Sequence, residues 1–317
     1  MNKAKKFALI GAAGFIAPRH MKAIRDTGNQ LIAALDKSDS VGIIDSYFPQ
    51  CAFFTEFERF DRHIEKLLLE HKTSVDYVSI CSPNYLHDAH VRFALRVGAH
   101  AICEKPLVLN PWNLDGLTAV EKRLGKNIYT ILQLRHHPAI IELKNKVAKA
   151  KGKSYEIQLT YITPRGSWYQ HSWKGDTDKS GGLATNIGVH FFDMLSWIFG
   201  QPEESEVHIA TEAKTAGVLK LKKATVKWFL SIDAADLAGT ENEGKHKAFR
   251  SLLIDGEEIK FSDGFTDLHT ESYRQILAGG GFGIKDCRAA INIVHAIRNA
   301  RPTGVNRDSH PFASKRS

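Results

Sequence analysis

At 317 residues the chain is longer than one hydrophobic core usually spans and short for three, so two domains are expected. Hydrophobic residues at 43% and charged residues at 25% exclude a disordered chain, and the apolar run behind the basic Met1–Lys6 segment is broken by Gly11 and Gly14 before it reaches secretory or membrane length. The net charge of +8 is scattered, with a loose basic cluster from Arg298 to Arg316; without a basic stripe interleaved with aromatics it suits an anionic small molecule and a solvated tail, not nucleic acid.

In chain order, Phe7–Ile10 reads as a strand, Gly11-Ala12-Ala13-Gly14 as a glycine turn, and the pattern through Ile16, Met21 and Ile24 to Gly28 as a helix. Such a turn lets backbone approach a pyrophosphate, whose charge the helix N-terminus attracts. Pro18 suits the first helical turn. The turn departs from G-x-G-x-x-G, because its second glycine comes one residue late and Ala17 stands in the third place. The next apolar run, Leu31–Leu35, ends in Asp36, 22 residues after Gly14, where an acidic residue binds ribose hydroxyls and repels the extra phosphate of NADP. NAD is therefore the expected cofactor, with Lys37 weakening the preference slightly.

Further βα units follow: a strand at Tyr77–Ile80, a helix over Leu86–Val97, and strands at Ala101–Cys103 and Ile128–Leu132. Repeated βα units imply a parallel sheet, which binds its ligands just beyond the strand ends. Those positions hold Ser82-Pro83-Asn84 with His87, then Glu104-Lys105-Pro106, then Gln133-Leu134-Arg135. The domain is assigned to residues 1–135.

From Tyr155 to Tyr161 the period changes to two, and further strands are expected at 207–210, 218–221, 224–232, 251–254 and 258–261. An α+β domain over residues 136–317, with a large, mainly antiparallel open sheet, is the economical reading. Helices are expected over Thr185–Ile198 and Asp286–Ala300; in the first, Asn186, His190 and Asp193 at i, i+4 and i+7 share one face, and Asp193 is a candidate to orient His190. Between Thr163 and Lys179, the residues Arg165, Trp168, Tyr169, His171, Trp173 and Lys174 offer flat rings for a sugar and basic groups for phosphate. The four cysteines, Cys51, Cys81, Cys103 and Cys287, have no C-x-x-C spacing, and no metal-ligand spacing is seen, so a reduced, cytoplasmic, metal-free protein is expected.

Together these residues resemble the glucose-fructose oxidoreductase and inositol dehydrogenase family of two-domain sugar dehydrogenases. The marks are the glycine turn ending in His20, Cys103-Glu104-Lys105-Pro106, and Gly181-Gly182 leading through Asn186-Ile187-Gly188-Val189-His190 to Asp193. Closer still, residues 11–21, Asn84-Tyr85-Leu86-His87, 133–137, Trp173-Lys174-Gly175-Asp176 and Thr266-Asp267-Leu268-His269 are similar to bacterial members that oxidise the C3 hydroxyl of UDP-N-acetyl-glucosaminuronic acid on the route to lipopolysaccharide O-antigen. The resemblance implies NAD, a cytoplasmic homotetramer, no membrane or nucleic-acid partner, and a nucleotide sugar held between the domains. Some relatives recycle bound NADH with a 2-oxo acid such as 2-oxoglutarate, a point the sequence leaves open.

On this reading the cofactor contacts are Gly11, Gly14, Phe15, Ile16, Asp36, Ser82, Pro83, Asn84, His87, Glu104, Lys105, Gln133 and Trp173. The substrate contacts are Lys105, Arg135, Arg165, Trp168, Tyr169, Lys174, Asn186 and His190. Many members carry Asp where this chain has Asn186; an amide is no proton acceptor, so the base falls to His190 or Lys105. Histidine is the better base near neutral pH and Lys105 the orienting donor. The competing readings are a dehydrogenase of a free sugar or inositol, disfavoured by the basic loop, and a non-catalytic NAD-dependent sensor, disfavoured by intact Lys105 and His190.

Overall fold

A computed structural model describes residues 4–70, 72–245, 247–259 and 267–314. The far ends of the basic N-terminal run and of the Arg298–Arg316 cluster, and part of the 258–261 strand, lie outside those residues. The chain divides into two compact units, Met1–Gln133 with Thr266–Cys287, and Leu134–Phe265 with Arg288–Ser317.

The first unit is a doubly wound sheet. Its elements run β1 (Lys6–Ile10), α1 (Ala17–Asp26), β2 (Gln30–Leu35), β3 (Ala52–Phe54), α2 (Phe57–Leu69), β4 (Tyr77–Ile80), α3 (His87–Arg96), β5 (His100–Cys103), α4 (Pro111–Leu124) and β6 (Ile128–Thr130). The strands lie in the order β3-β2-β1-β4-β5-β6, all parallel. Every residue of β4 is buried, as expected where helices cover both faces of a parallel sheet. The order reverses between β1 and β4, so the carboxyl ends of those strands open the crevice in which this architecture takes a dinucleotide. β3 and α2 had no expectation attached to them.

The second unit contributes α5 (Pro138–Lys149), β7 (Tyr155–Ile162), α6 (Trp168–His171), α7 (Thr177–Ser180), α8 (Val189–Phe199), β8 (Pro202–Ala210), β9 (Lys214–Leu221), β10 (Ala224–Ser231), β11 (Phe249–Ile254) and the short β12 (Glu257–Glu258). The sheet order is β12-β11-β7-β10-β9-β8, antiparallel except for the β7–β10 pair. Inward side chains form a core around the fully buried Trp228, whose ring meets Phe192 of α8 edge-on at 5.5 Å. Burial of one such large side chain contributes on the order of 2–3 kcal/mol. The expected helix over Thr185–Ile198 is split: Ala184–Gly188 is a π turn, and α8 begins only at Val189. Asn186 therefore lies in the π turn, ahead of the α-helical turns that carry His190 and Asp193.

The chain then returns to the first unit through α9 (Leu268–Leu277), and α10 (Ile284–Asn299) follows. The single boundary expected at 135/136 is thus corrected to a double crossing. The reason is physical: α9 supplies Tyr273 and Ile276 to the core of Phe7, Leu9, Met21 and Ile24, and the Thr130 N–H donates to the Phe282 carbonyl at 2.9 Å. Among the described residues no helix is long and apolar enough to cross a membrane.

Candidate active site

The glycine turn is built against the end of β4. Gly11 has φ +91°, and a Cβ there would lie 2.5 Å from the Cys81 carbonyl carbon, so only glycine fits. Gly14 donates its N–H to the Gly11 carbonyl at 3.0 Å, closing the turn. Helix α1 follows with no side-chain cap and no acidic residue in its first turn, which leaves its N-terminal dipole to an anionic ligand. Phe15 is 93% exposed at the tip of the turn.

Asp36, at the end of β2, accepts the Ala13 N–H on one carboxylate oxygen and the Ser38 N–H on the other, both at 2.9 Å. Each oxygen keeps a second lone pair, so the residue ties the glycine turn while still able to accept from ribose hydroxyls. A glycine cradle, an uncapped helix start and a placed carboxylate fit a dinucleotide.

Beyond β4, Ser82 is buried and its hydroxyl shares a hydrogen bond of 2.8 Å with His90 Nδ1; Asn84 is buried beside it. His87, expected to touch the cofactor, is 1% exposed, and its ring nitrogens reach the Pro106 carbonyl at 2.7 Å and the Ser82 carbonyl at 2.8 Å. Burial pushes its pKa down, against the raising pull of those carbonyls. It pins the loops that follow β4 and β5 to each other.

Glu104, at the end of β5, is buried, and its Oε1 accepts from His20 Nε2 at 3.0 Å and His269 Nε2 at 2.9 Å. Burial alone would raise its pKa; the two imidazole hydrogen bonds outweigh that and hold the carboxyl well below the usual carboxylate range. The side chain of Lys105 is half-buried, as is that of Gln133 past β6.

In the second unit, Arg135 is 5% exposed and forms a two-pronged ion pair with Asp193, Nε to Oδ2 at 3.0 Å and Nη2 to Oδ1 at 2.7 Å. Its guanidinium lies 5.4 Å from the centre of the Trp197 ring. The fork engages both oxygens of Asp193, the group expected to orient His190, and ties Arg135 to α8. His190 is half-buried on α8, its ring edge-on to Tyr161 at 6.1 Å and 4.0 Å from that of Phe191. Asn186 donates from Nδ2 to the hydroxyl of the buried Tyr169 at 2.6 Å, so these two substrate candidates form one hydrogen-bonded unit. Lys174 Nζ sits 4.7 Å from the Trp173 ring centre and 5.5 Å from that of Trp168; Trp168 and Arg165 are exposed.

Sequence reasoning attached no role to the histidines on Glu104 or to Tyr273, whose hydroxyl meets His20 Nδ1 at 2.8 Å. One signal was available: His20 shares the buried face of α1 with Ala17, Met21 and Ile24, a place where a histidine needs a partner.

Residues 5–131 match the oxidoreductase family with an NAD-binding Rossmann fold, and residues 152–231 match the C-terminal alpha/beta domain of the same family. The chain is 48% identical to the WlbA (WbpB) dehydrogenase of Thermus thermophilus, solved with NAD and alpha-ketoglutarate and again with NAD and UDP-GlcNAcA. In the first of these, 97% of this chain and 99% of that one align with a TM-score of 0.93. The WlbA dehydrogenase of Bordetella pertussis shares the fold at 17% identity, with 94% of this chain and 95% of that one aligned and a TM-score of 0.76. Among curated relatives, the D-glucoside 3-dehydrogenase of Escherichia coli is 29% identical over 136 residues, covering 42% of this chain and 38% of that protein. A putative UDP-kanosamine synthase oxidoreductase subunit of Amycolatopsis mediterranei is 28% identical over 217 residues, covering 68% and 58%. The matched part thus spans less than two thirds of these curated relatives. With its Rossmann unit, its mixed-sheet unit and its full-length kinship to a solved dehydrogenase, the chain belongs to the oxidoreductase family that joins an NAD-binding Rossmann fold to a C-terminal alpha/beta domain.

Proposed function

We propose that the protein is an NAD-dependent dehydrogenase that oxidises the C3 hydroxyl of UDP-N-acetyl-glucosaminuronic acid to the 3-keto sugar. The observation that carries this reading is the 48% identity, over 97% of the chain, to a dehydrogenase solved with NAD and UDP-GlcNAcA. Oxidation at C3 draws support from the 3-dehydrogenases of other sugars among its relatives.

The glycine turn and the N-terminus of α1 would hold the pyrophosphate, and Asp36 the adenosine ribose. NAD supplies a hydride acceptor. Lys105 donates a hydrogen bond to the reacting hydroxyl, and His190 takes its proton as the C–H electrons leave, since an imidazole is already a competent base near neutrality. Asn186, braced by Tyr169, orients the sugar; with an amide at that position it moves no proton. Arg165 and Lys174 bind the uronate or the diphosphate, while Trp168 offers a stacking face and Trp173 a cofactor contact. Arg135 serves the substrate through the loop it anchors.

The finer parts of the reading are a cytoplasmic homotetramer and a place in lipopolysaccharide O-antigen synthesis. Recycling of bound NADH by 2-oxoglutarate is favoured by the alpha-ketoglutarate complex of the Thermus enzyme. The test is nicotinamide reduction by purified protein with NAD and UDP-N-acetyl-glucosaminuronic acid, with and without 2-oxoglutarate, alongside Lys105→Met. Keto-sugar formation that Lys105→Met abolishes while NAD still binds is the expected result. Activity on free sugars alone would overturn the nucleotide-sugar assignment.

A further inference from the structure

Three elements of the first unit converge on one buried carboxylate. His20 comes from α1, Glu104 from the end of β5, and His269 with Tyr273 from α9, and all four residues are 6% exposed or less. Stripping a carboxylate of water costs several kcal/mol or more unless donors replace the water.

The donors can be assigned by following the chain of contacts. Glu104 Oε1 can only accept, so His20 and His269 each present Nε2–H to it. With its proton on Nε2, His20 accepts at Nδ1, and the Tyr273 hydroxyl donates there at 2.8 Å. The Tyr273 oxygen in turn accepts from the Ser79 hydroxyl of β4 at 2.6 Å. Every proton in the series Ser79–Tyr273–His20–Glu104 points one way, toward the carboxylate. Burial pushes His20 below its ordinary pKa against the raising pull of Glu104, consistent with a neutral ring.

The three groups are close enough to hold a metal ion. The proton series satisfies them without one: both imidazoles already donate the hydrogens that an ion would have to displace.

Glu104 Oε2 accepts the backbone N–H of Lys105 at 3.2 Å, while the Glu104 N–H donates to the Ile80 carbonyl at 3.0 Å. The carboxylate is thus folded back onto the peptide from which Lys105 springs. We infer that His20, His269 and Tyr273 are positioning residues for the reaction, locking Glu104 and through it the backbone that aims the Lys105 side chain. A role in packing alone would be met as well by apolar residues of similar volume, which carry no desolvation cost.

The inference rests on the catalytic reading of Lys105, and the experiment separates the two. His269→Leu, His269→Gln, Tyr273→Phe and Lys105→Met are compared for kcat, for KM of NAD and of UDP-N-acetyl-glucosaminuronic acid, and for Tm. Loss of aim by about an ångström costs roughly 10²-fold in rate. His269→Leu is therefore expected to lower kcat about 10²-fold with both KM values little changed, the signature of an interaction that matters in the transition state. His269→Gln, which keeps a donor near the imidazole Nε2 position, is expected to recover most of that rate. Tyr273→Phe, which frees His20 to change tautomer without opening a cavity, is expected to fall between them and guards against a His269→Leu that does not fold. If Lys105→Met is inactive and folded His269→Leu turns over like the parent, the positioning role is wrong and the Lys105 role stands. Should Lys105→Met remain active, the catalytic reading itself falls and takes this one with it. Equal losses in His269→Gln and His269→Leu that track Tm, or one zinc per chain lost on His269→Leu, would overturn the positioning role.

Discussion

Each unit buries one carboxylate beside a residue proposed for catalysis, and the two solve the same electrostatic problem differently. Asp193 in the second unit faces a full cation, the Arg135 guanidinium, through two parallel hydrogen bonds. Glu104 in the first unit faces a backbone N–H and two imidazoles, the latter donors that can be neutral and can change tautomer. A guanidinium clamp stays charged at every working pH and fixes one geometry. An imidazole clamp holds the anion while staying responsive to protons and to its own hydrogen-bond partners. Asp193 is held as part of a core, whereas Glu104 is held just past the carboxyl end of an inner strand, from which its neighbour Lys105 must reach out.

The contrast can be broken by substitution. Arg135→Met leaves a buried carboxylate without its cation and should destabilise the protein by about 3–5 kcal/mol in denaturant unfolding. The double variant Arg135→Met/Asp193→Leu should recover most of that. Glu104→Gln removes the anion, and because its amide cannot accept from all three donors it should cost a smaller amount, about 1–3 kcal/mol.

Acid sharpens the difference. The folded-state pKa of His20 is depressed, so below the ordinary 6.5 the unfolded chain binds a proton that the folded one refuses. That contribution to stability is complete above 6.5 and is lost as pH falls toward the depressed value, by at most about 1.4 kcal/mol per pH unit for each such proton. Glu104 acts in the same direction at lower pH, its contribution disappearing as pH falls through its own depressed value. His20→Gln should flatten the slope of stability against pH between 6.5 and the acid limb, and Arg135→Met should leave that part of the slope in place. The smallest effect is expected from Ser79→Ala, which removes only the far end of the proton series and should cost about 1 kcal/mol, read from the shift in denaturation midpoint.

How much of this was legible beforehand depended on range. Strands β1, β2, β4 and β5 are largely apolar runs soon followed by glycine, acid or proline, and their order of appearance already implied a parallel sheet. β3 was missed because it is three half-buried residues with no periodicity to read, and α2 with it. Asp36 and the glycine turn were legible because their chemistry is local. The Glu104 cluster was not, since its partners lie 84 and 165 residues away and each histidine taken alone is an ordinary polar residue. The role offered for Arg135 overlooked Asp193, 58 residues on, since a strand-end position suggests a ligand and gives no hint of a distant partner. The π turn at Ala184–Gly188 is invisible to a helical periodicity that tolerates one extra residue.

The return of α9 to the first unit also bears on synthesis. A ribosome delivers residues 1–133 first, with β1 to β6 all present, yet His269, Tyr273 and the Phe282 carbonyl that meets Thr130 emerge only after the second sheet has been made. Until then the nascent Rossmann unit carries Glu104 with one imidazole missing and the α1 side of its core uncovered. The dinucleotide-binding half, first in the message, therefore cannot complete its core until the second sheet has been translated, and exposure of that face to chaperones lasts as long as that translation requires.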